Sequence, residues 1–270
     1  MKRVYLEITN SCNLNCSFCS EEKGSRFIPL EKMDKYLDSI KEVSNYIYLH
    51  VLGEPLLHKD FDSIMNLLDQ KNFNLQLVTN GILLDKHLDI LNHKSLRKLS
   101  ISLHSISNIN VNDDYFRTID YLIEHNNNKI IELRFYDLNN LDDKLHEYLN
   151  KLENKYHFKD TKKYNSYKLK DNVYIYIQEM FTWPNINNPY IGDIGYCHGL
   201  KDQVAILSNG KVTSCCLDSK GINSFGDLNE NNLKDILNSD YYKDALNNLN
   251  NKKLIMPLCK HCSYRLRFSK

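Results

Sequence analysis

Two hydrophobic periods take turns along the first two thirds of the chain. Residues 3–9, 46–51, 75–78, 99–103, 130–135 and 173–177 are short runs rich in aliphatic, β-branched and aromatic residues, which predicts strands. Between them, apolar residues return every three to four positions. Met33, Leu37, Ile40 and Val43, entered through Pro29, predict a helix, and residues 61–68, 85–91, 114–124 and 141–152 predict more. Strand and helix in alternation with short links argue for a parallel sheet with right-handed crossovers. About six such units predict an incomplete barrel, a partial (β/α)6 architecture.

The texture changes near residue 180. Residues 181–195 carry Trp183, several Asn and Gly/Pro punctuation without any period, which places a domain boundary there: residues 1–180 form the barrel and 181–270 a smaller domain. In that second domain, residues 204–207, the turn Asn209-Gly210 and residues 211–214 predict a tight hairpin. Two short helices and a cysteine-containing tail follow it.

Composition narrows the classes. A chain of 270 residues, 42% hydrophobic and 26% charged, can bury an ordinary globular core. Its longest apolar runs fall well short of the roughly 20 residues of a membrane span, and Met1-Lys2-Arg3 leads into a strand that contains Glu7, so neither a membrane helix nor a signal peptide is expected. Lys plus Arg (35) nearly balances Asp plus Glu (34) and no basic block stands out, so nucleic acid is not an expected partner. The eight cysteines do not suggest disulfides in a chain of this size without an export signal. Reduced thiols in the cytoplasm are the expectation, and their spacing points to metal.

Cys12, Cys16 and Cys19 have the spacing C-x3-C-x2-C in the loop after the first predicted strand. Three soft ligands suit an iron–sulfur cubane with one iron left open, whereas a structural zinc would need a fourth ligand, for which His50 or His58 is available. Gly53-Glu54-Pro55 follows the second strand and Thr79-Asn80-Gly81 the third; Ser102 and His104 end the fourth, and Arg134 lies near the end of the fifth. These are C-terminal strand ends, where β/α barrels place their chemistry. Taken singly, each is equally a plain turn or a local polar group. A second set comprises Cys197, Cys215, Cys216, Cys259 and Cys262; the pair Cys259-Lys-His-Cys262 suits a zinc ribbon as well as a cluster. Tyr196, His198, His261, Trp183 and Tyr190 near these cysteines are read as packing or hydrogen-bonding residues.

Cys12-Asn-Leu-Asn-Cys16-Ser-Phe18-Cys19 resembles the signature of the radical S-adenosylmethionine (SAM) superfamily, including the aromatic Phe18 before the third cysteine. The resemblance implies a [4Fe–4S] cluster on Cys12, Cys16 and Cys19 whose open iron takes the amino and carboxylate groups of SAM. Gly53-Glu54-Pro55 resembles the family's Gly-Gly-Glu-Pro segment, with Leu52 in place of the first glycine, and implies contact with the SAM amino group. By the same analogy Thr79, Asn80, Ser102, His104 and Arg134 would touch the SAM carboxylate and ribose. Asn209-Gly210-Lys-Val-Thr-Ser-Cys215-Cys216-Leu-Asp218, then Phe225-Gly226-Asp227-Leu228 and Cys259-Lys-His-Cys262, resembles the C-terminal extension called SPASM or, shortened, Twitch. It implies an auxiliary [4Fe–4S] cluster on Cys197, Cys215, Cys259 and Cys262, with the hairpin motif favouring Cys215 over Cys216.

The resemblance covers nearly the whole chain. It implies reductive cleavage of SAM to a 5′-deoxyadenosyl radical, hydrogen abstraction from a small polar substrate, and an external electron donor such as flavodoxin or ferredoxin. A two-electron oxidation of a sugar or cyclitol alcohol, the reaction of Twitch-bearing dehydrogenases, fits a single auxiliary cluster. Peptide modification and epimerisation occur on the same architecture. No leader-peptide recognition domain fits the length, so a peptide substrate would need a separate partner. The competing reading of a different class is a non-catalytic zinc or iron–sulfur binding protein.

Overall fold

The computed structural model describes residues 1–19, 24–107, 109–136, 141–158, 160–161 and 165–268. The chain packs as two compact units, one of Met1–Asn74 with Phe181–Lys270 and the other of Leu75–Met180.

The first unit opens with β1 (Arg3–Leu6), α1 (Leu30–Lys41), β2 (Tyr46–Tyr48) and α2 (Phe61–Gln70). Strand β1 runs parallel to β2, with Val4 opposite Ile47. The strand period sorts the residues: Val4, Leu6 and Ile8 are fully buried, while Arg3, Tyr5 and Glu7 share the opposite face. Helix α1 starts after Pro29 and buries Met33, Tyr36, Leu37 and Ile40 on one side, the stripe the sequence predicts.

The second unit holds β3 (Asn74–Thr79), β4 (Leu96–Ser102), α3 (Asp113–Glu124), β5 (Ile130–Phe135), α4 (Asp143–Tyr156), β6 (Asp160–Thr161), β7 (Ser166–Lys170) and β8 (Val173–Ile177). Strands β3, β4, β5 and β8 are parallel neighbours in that order, with Ser102 opposite Arg134 and Phe135 opposite Ile177. Ile131, Leu133, Phe135, Val173 and Ile175 are fully buried. The alternate positions are polar: Lys98 Nζ pairs with Glu132 Oε2 at 2.5 Å, and Ser100 Oγ donates to Glu132 Oε1 at 3.1 Å.

Two expectations are corrected in this unit. Residues 85–91 do not form an α-helix but two 3₁₀ turns, Leu84–Lys86 and Leu88–Asn92, separated at His87 with φ −134°. A stretch this short gains too few hydrogen bonds to offset helix nucleation. Between the predicted helix 141–152 and the predicted strand 173–177, where no hydrophobic period is visible, lies β7, which pairs antiparallel with β8 through a turn where Asn172 takes φ 62°. Leu169 is the only side chain β7 buries, so no alternation showed.

The chain then returns to the first unit with β9 (Gln203–Ile206), β10 (Lys211–Thr213), β11 (Ser224–Asp227), α5 (Leu233–Asn238), α6 (Asp240–Asn250) and α7 (Pro257–Lys260). The predicted hairpin is β9–β10. Its first strand pairs in parallel with β1, Val204 opposite Val4, which the sequence did not reveal. Strand order in this unit is β11-β10-β9-β1-β2, an open sheet with β11 at its edge. The six parallel strands β1 to β5 and β8, alternating with helices or 3₁₀ turns, make the open α/β architecture of a partial (β/α)6 barrel. Among the described residues no helix is long and apolar enough to cross a membrane.

The hairpin turn depends on a glycine. Gly210 has φ 97°, and a Cβ there would lie 2.1 Å from Asn229 Nδ2 and 2.5 Å from Asp227 Oδ1. Asn229 in turn accepts from Tyr36 of α1 at 2.8 Å. Gly210→Ala is expected to cost about 1–3 kcal/mol, seen as a lower urea midpoint at unchanged slope. An unchanged midpoint would show that the turn does not need its glycine.

Candidate functional site

The first cysteine loop is tied down at both ends. Thr9 Oγ1 donates to Arg26 O at 2.8 Å and accepts from Ser11 N at 3.0 Å, while Asn10 Oδ1 accepts from Arg26 N at 2.9 Å. Cys12, Cys16 and Cys19 follow, each half-buried. Leu14 N lies 3.4 Å from Cys12 Sγ, and Cys19 N donates to Cys16 O at 3.1 Å, a tight turn between the last two sulfurs. A backbone amide aimed at a sulfur suits a thiolate that carries charge. Phe18 lies inside this turn, between Cys16 and Cys19.

The segment after β2 presses on the same loop. Gly53 has φ 78°, and a Cβ on it would sit 2.3 Å from Thr9 O and 2.9 Å from Ser11 O, so only glycine fits. Glu54 N then donates to Ser11 O at 2.8 Å. The Glu54 carboxylate is 2% exposed and accepts from Leu56 N at 3.1 Å, and Pro55 opens a 3₁₀ turn, Pro55–Leu57, that fixes the backbone. One residue missed by sequence reasoning anchors the arrangement. Glu7, buried just past the end of β1, accepts from Leu52 N at 3.1 Å, Ser208 N at 2.9 Å and Ser208 Oγ at 2.8 Å, and burial raises its pKa. A charged residue at an alternate position of an otherwise apolar strand was the available signal.

His58 does not supply a fourth ligand. Its Nε2 lies 2.9 Å from Ile28 O and its Nδ1 accepts from Asp60 N at 3.2 Å, so both ring nitrogens are engaged. Burial lowers its pKa. The ring of His50 packs edge-on to Tyr5 and Tyr48 at 5.6 and 5.8 Å.

In the other unit, the remaining candidates gather at the ends of β3, β4 and β5. Thr79 Oγ1 accepts from Gly81 N at 3.0 Å and Asn80 Oδ1 from Ile82 N at 3.0 Å, so both shape the turn they occupy. Ser102 and His104 are largely buried, and His104 Nδ1 lies 3.1 Å from Arg134 O with its ring stacked on Tyr136 at 3.8 Å. Burial, helped by the Arg134 charge, lowers the His104 pKa to about 3. The Arg134 guanidinium donates to Gln178 Oε1 and lies 4.0 Å from Glu132 Oε1.

The second cysteine set divides. Cys197, Cys215 and Cys259 line one apolar pocket with Ser214, Leu249 and Met256. Burial raises the Cys215 thiol well above its ordinary value, and Cys216, Cys197 and Cys259 raise it further; Cys259 is pushed up to about 12 by burial, then by Cys197 and Cys262. Burial also raises Cys197 and Cys262. Thiolates this close repel one another, and a positively charged iron core would relieve them. Gly199 N lies 3.4 Å from Cys197 Sγ and Asn223 Nδ2 3.4 Å from Cys259 Sγ, donors placed as the sulfurs of a bound cluster need. Among the described residues no three His, Cys, Asp or Glu side chains converge on a point tightly enough for a single metal ion. Three of the four candidate sulfurs, those of Cys197, Cys215 and Cys259, line a pocket, and soft thiolate ligands suit an iron–sulfur cluster as well as zinc. Cys216 faces away: it packs against Tyr5, Val51, Ala205 and Leu207, and Gln203 Nε2 lies 3.9 Å from its sulfur. Asp218, also fully buried, shapes the loop by accepting from Ile222 N at 2.9 Å and Asn223 N at 2.8 Å.

Comparison with known proteins extends this picture. The model of the Radical SAM superfamily matches residues 6–152, and that of an iron–sulfur cluster-binding domain, SPASM, matches residues 197–263. GTP 3′,8-cyclase of Aliarcobacter butzleri is 31% identical over 110 residues, which are 38% of this chain and 34% of that relative. Probable GTP 3′,8-cyclase of Methanococcus aeolicus is 34% identical over 117 residues, 39% of this chain and 38% of that relative. The chain thus spans little more than a third of the length of the curated relatives it matches. Among solved structures, BtrN in complex with AdoMet and 2-DOIA has a TM-score of 0.63 at 17% identity, covering 97% of this chain and 92% of its own. Native anSMEcpe with bound AdoMet and Cp18Cys peptide has a TM-score of 0.61 at 14% identity, covering 99% and 91%. At such identities the likeness is one of fold.

Two outcomes are expected. Cys215→Ala loses about four irons or leaves a labile cluster, whereas Cys216→Ala keeps full iron content; the reverse result in an iron assay would exchange their roles. His104 remains neutral far below the ordinary histidine range. The unfolded chain therefore binds a proton near pH 6.5 that the folded unit takes up only near pH 3, so stability falls as the pH drops through that window. His104→Gln removes part of this slope in urea titrations between pH 7 and 4, and an unchanged slope would show that His104 does not contribute.

Proposed function

We propose, for a chain that belongs to the radical SAM superfamily and ends in an iron–sulfur cluster-binding domain, a two-electron oxidation of a small polar alcohol such as a sugar or cyclitol. The chain is a radical SAM enzyme whose cofactors are a SAM-binding [4Fe–4S] cluster, SAM and an auxiliary iron–sulfur centre. In this reading residues 1–180 act as the barrel domain and 181–270 as a Twitch-type cluster domain of a cytoplasmic oxidoreductase. When bound, the cofactors supply a 5′-deoxyadenosyl radical for hydrogen abstraction and an acceptor for the substrate's second electron.

The observation that carries the reading is the seating of Glu54 against the cysteine loop through Gly53 and Ser11. In this reading Cys12, Cys16 and Cys19 hold the first cluster, with Phe18 covering it. Glu54 presents a carboxylate, held away from water, to the ammonium of SAM. Thr79, Asn80, Ser102, His104 and Arg134 shape the part of the site that takes the carboxylate and ribose. Cys197, Cys215, Cys259 and Cys262 hold the auxiliary cluster. Four protein ligands leave that cluster no open iron for substrate, which favours electron acceptance over substrate coordination. An alcohol that loses a hydrogen atom from carbon, then one electron and one proton, becomes a carbonyl, so the balance closes with one SAM consumed.

The inner positions of β4 and β5, Lys98, Ser100, Glu132 and Arg134, are polar, which suits a hydroxylated substrate better than an aliphatic one. The match to the GTP 3′,8-cyclases spans too little of them to bring their substrate across. A peptide substrate is the alternative, since anSMEcpe carries a bound peptide in its structure. A flavodoxin or ferredoxin is the proposed electron donor.

Anaerobic reconstitution followed by SAM and dithionite tests the reading. The native chain is expected to hold about eight irons and to release 5′-deoxyadenosine, while the triple alanine variant at Cys12, Cys16 and Cys19 releases none. Glu54→Gln is expected to weaken SAM binding roughly tenfold or more at unchanged iron content, the size of a charge-assisted hydrogen bond. Stoichiometric zinc in place of iron, or an unchanged SAM dissociation constant, would overturn it.

A further inference from the structure

Asn223 stands where the segments that carry Cys215 and Cys259 meet. It is 1% exposed and directly precedes β11. Its backbone amide donates to Asp218 Oδ2 at 2.8 Å, which fixes the residue on the Cys215 side. The side chain reaches across to the other segment, where Leu258 N lies 3.2 Å from Asn223 Oδ1 and Leu258 immediately precedes Cys259 in α7. A backbone N–H can only donate, so the side-chain oxygen must face Leu258 and the NH2 group must face the other way. That group has two hydrogens, and two acceptors stand within reach of them: Ser214 Oγ at 3.1 Å and Cys259 Sγ at 3.4 Å. The neighbours therefore leave the amide one orientation, with a donor aimed at sulfur.

The setting makes that donor count. Cys259 lines its pocket with Cys197 and Cys215, and Leu249, Leu254 and Met256 form apolar walls that offer sulfur no donor from their side chains. Charge placed on a centre in such surroundings is met by few dipoles, and each dipole that does face it acts at low dielectric. Gly199 N supplies another, 3.4 Å from Cys197 Sγ, but from the main chain. Hydrogen bonds to the sulfurs are one of the controls on the reduction potential of an iron–sulfur cluster. One-electron reduction adds negative charge, so a donor pointed at sulfur stabilises the reduced form more than the oxidised form.

We propose that Asn223 is a positioning residue for electron acceptance, whose amide, acting through Cys259, raises the reduction potential of the auxiliary centre. The proposal rests on Cys259 being a ligand of that centre and on the oxidation reading above. In that reaction the deprotonated substrate radical gives up one electron and becomes the carbonyl, and that electron passes to the auxiliary centre. A higher potential there favours the transfer.

The test uses the full chain carrying Cys12→Ala, Cys16→Ala and Cys19→Ala, which leaves the auxiliary centre as the source of the electron paramagnetic resonance signal. It is reconstituted and titrated anaerobically against redox mediators. Asn223→Leu keeps nearly the same shape without the donor. At a fixed mediator potential it is expected to lower the reduced-to-oxidised ratio roughly tenfold, about 59 mV for one electron, at unchanged iron content. Asn223→Asp puts an acceptor against the sulfur and is expected to lower the ratio further. A ratio unchanged or raised in Asn223→Leu would overturn the role of Asn223. A measurement without any change at position 223 guards against a variant that fails to fold. With asparagine side-chain amides labelled with nitrogen-15, pulsed resonance of the reduced centre is expected to show a nitrogen coupling, and its absence would overturn the proposal as well. No iron in the triple-alanine chain would remove the auxiliary centre itself, a failure of the ligand reading that the iron assay separates from the others. The oxidation reading fails separately, if the loaded native chain forms no carbonyl product.

Discussion

The approach of Gly53 to the carbonyls of Thr9 and Ser11 is the contact on which the catalytic half of the molecule depends. A side chain at position 53 would push the strand end away by more than an ångström. With it would go Glu54, whose amide is hydrogen-bonded to the same Ser11 carbonyl. Glu7 works in the same direction from the other side, because its carboxylate holds the amides of Leu52 and Ser208. A buried carboxylate that receives three hydrogen bonds tolerates burial, and losing one partner would leave charge unsatisfied inside. Two sites of close packing therefore set the distance between a cysteine loop and the acid proposed to read the SAM ammonium.

The auxiliary region is organised on the opposite principle, repulsion waiting for a cation. Burial resists ionisation of all four thiols, neighbouring cysteines add to it at Cys215, Cys259 and Cys262, and a bound metal core would offset both. Hydrogen bonds shape the scaffolding around it: Asp218 accepts from the loop amides of Ile222 and Asn223, and the buried Asn223 side chain bridges Ser214 Oγ and Leu258 N, so the loop from Cys215 to Asn223 is ordered by its own contacts. Preformed ligands lose less entropy on binding, which favours assembly of a cluster over adventitious capture of an ion.

Much of this was legible in the residues. The six parallel strands, the hairpin and most helices follow from periodicity, because each buries a continuous apolar face such as that of Met33, Leu37 and Ile40. What escaped was whatever buried little or paired at a distance. Strand β7 buries only Leu169, and the two 3₁₀ turns around His87 share an apolar pattern with a helix but lack the length for one. The parallel pairing of β9 with β1 joins residues some two hundred positions apart, and no local pattern encodes it. The candidate site was read from motif spacing; Glu7 and Asn223, whose hydrogen bonds shape the loops that carry the candidate residues, belong to no motif, and Asp218, quoted in one, gave no sign there of its hold on the loop amides.

The division of faces along the strands explains how one sheet serves both stability and chemistry. Val4, Leu6 and Ile8 are fully buried, as are Ile131, Leu133 and Phe135, and these positions supply the hydrophobic free energy. The residues between them make other contacts: Tyr5 joins a small apolar cluster with Val51, Ala205 and Leu207, Glu7, just past β1, holds the amides of Leu52 and Ser208, and Glu132 and Arg134 on β5 are only partly buried. Polar groups there survive because they pair with one another, as Lys98 does with Glu132. The fold itself is shared with BtrN and with anSMEcpe at less than 20% identity, so the arrangement of strands persists while most side chains differ.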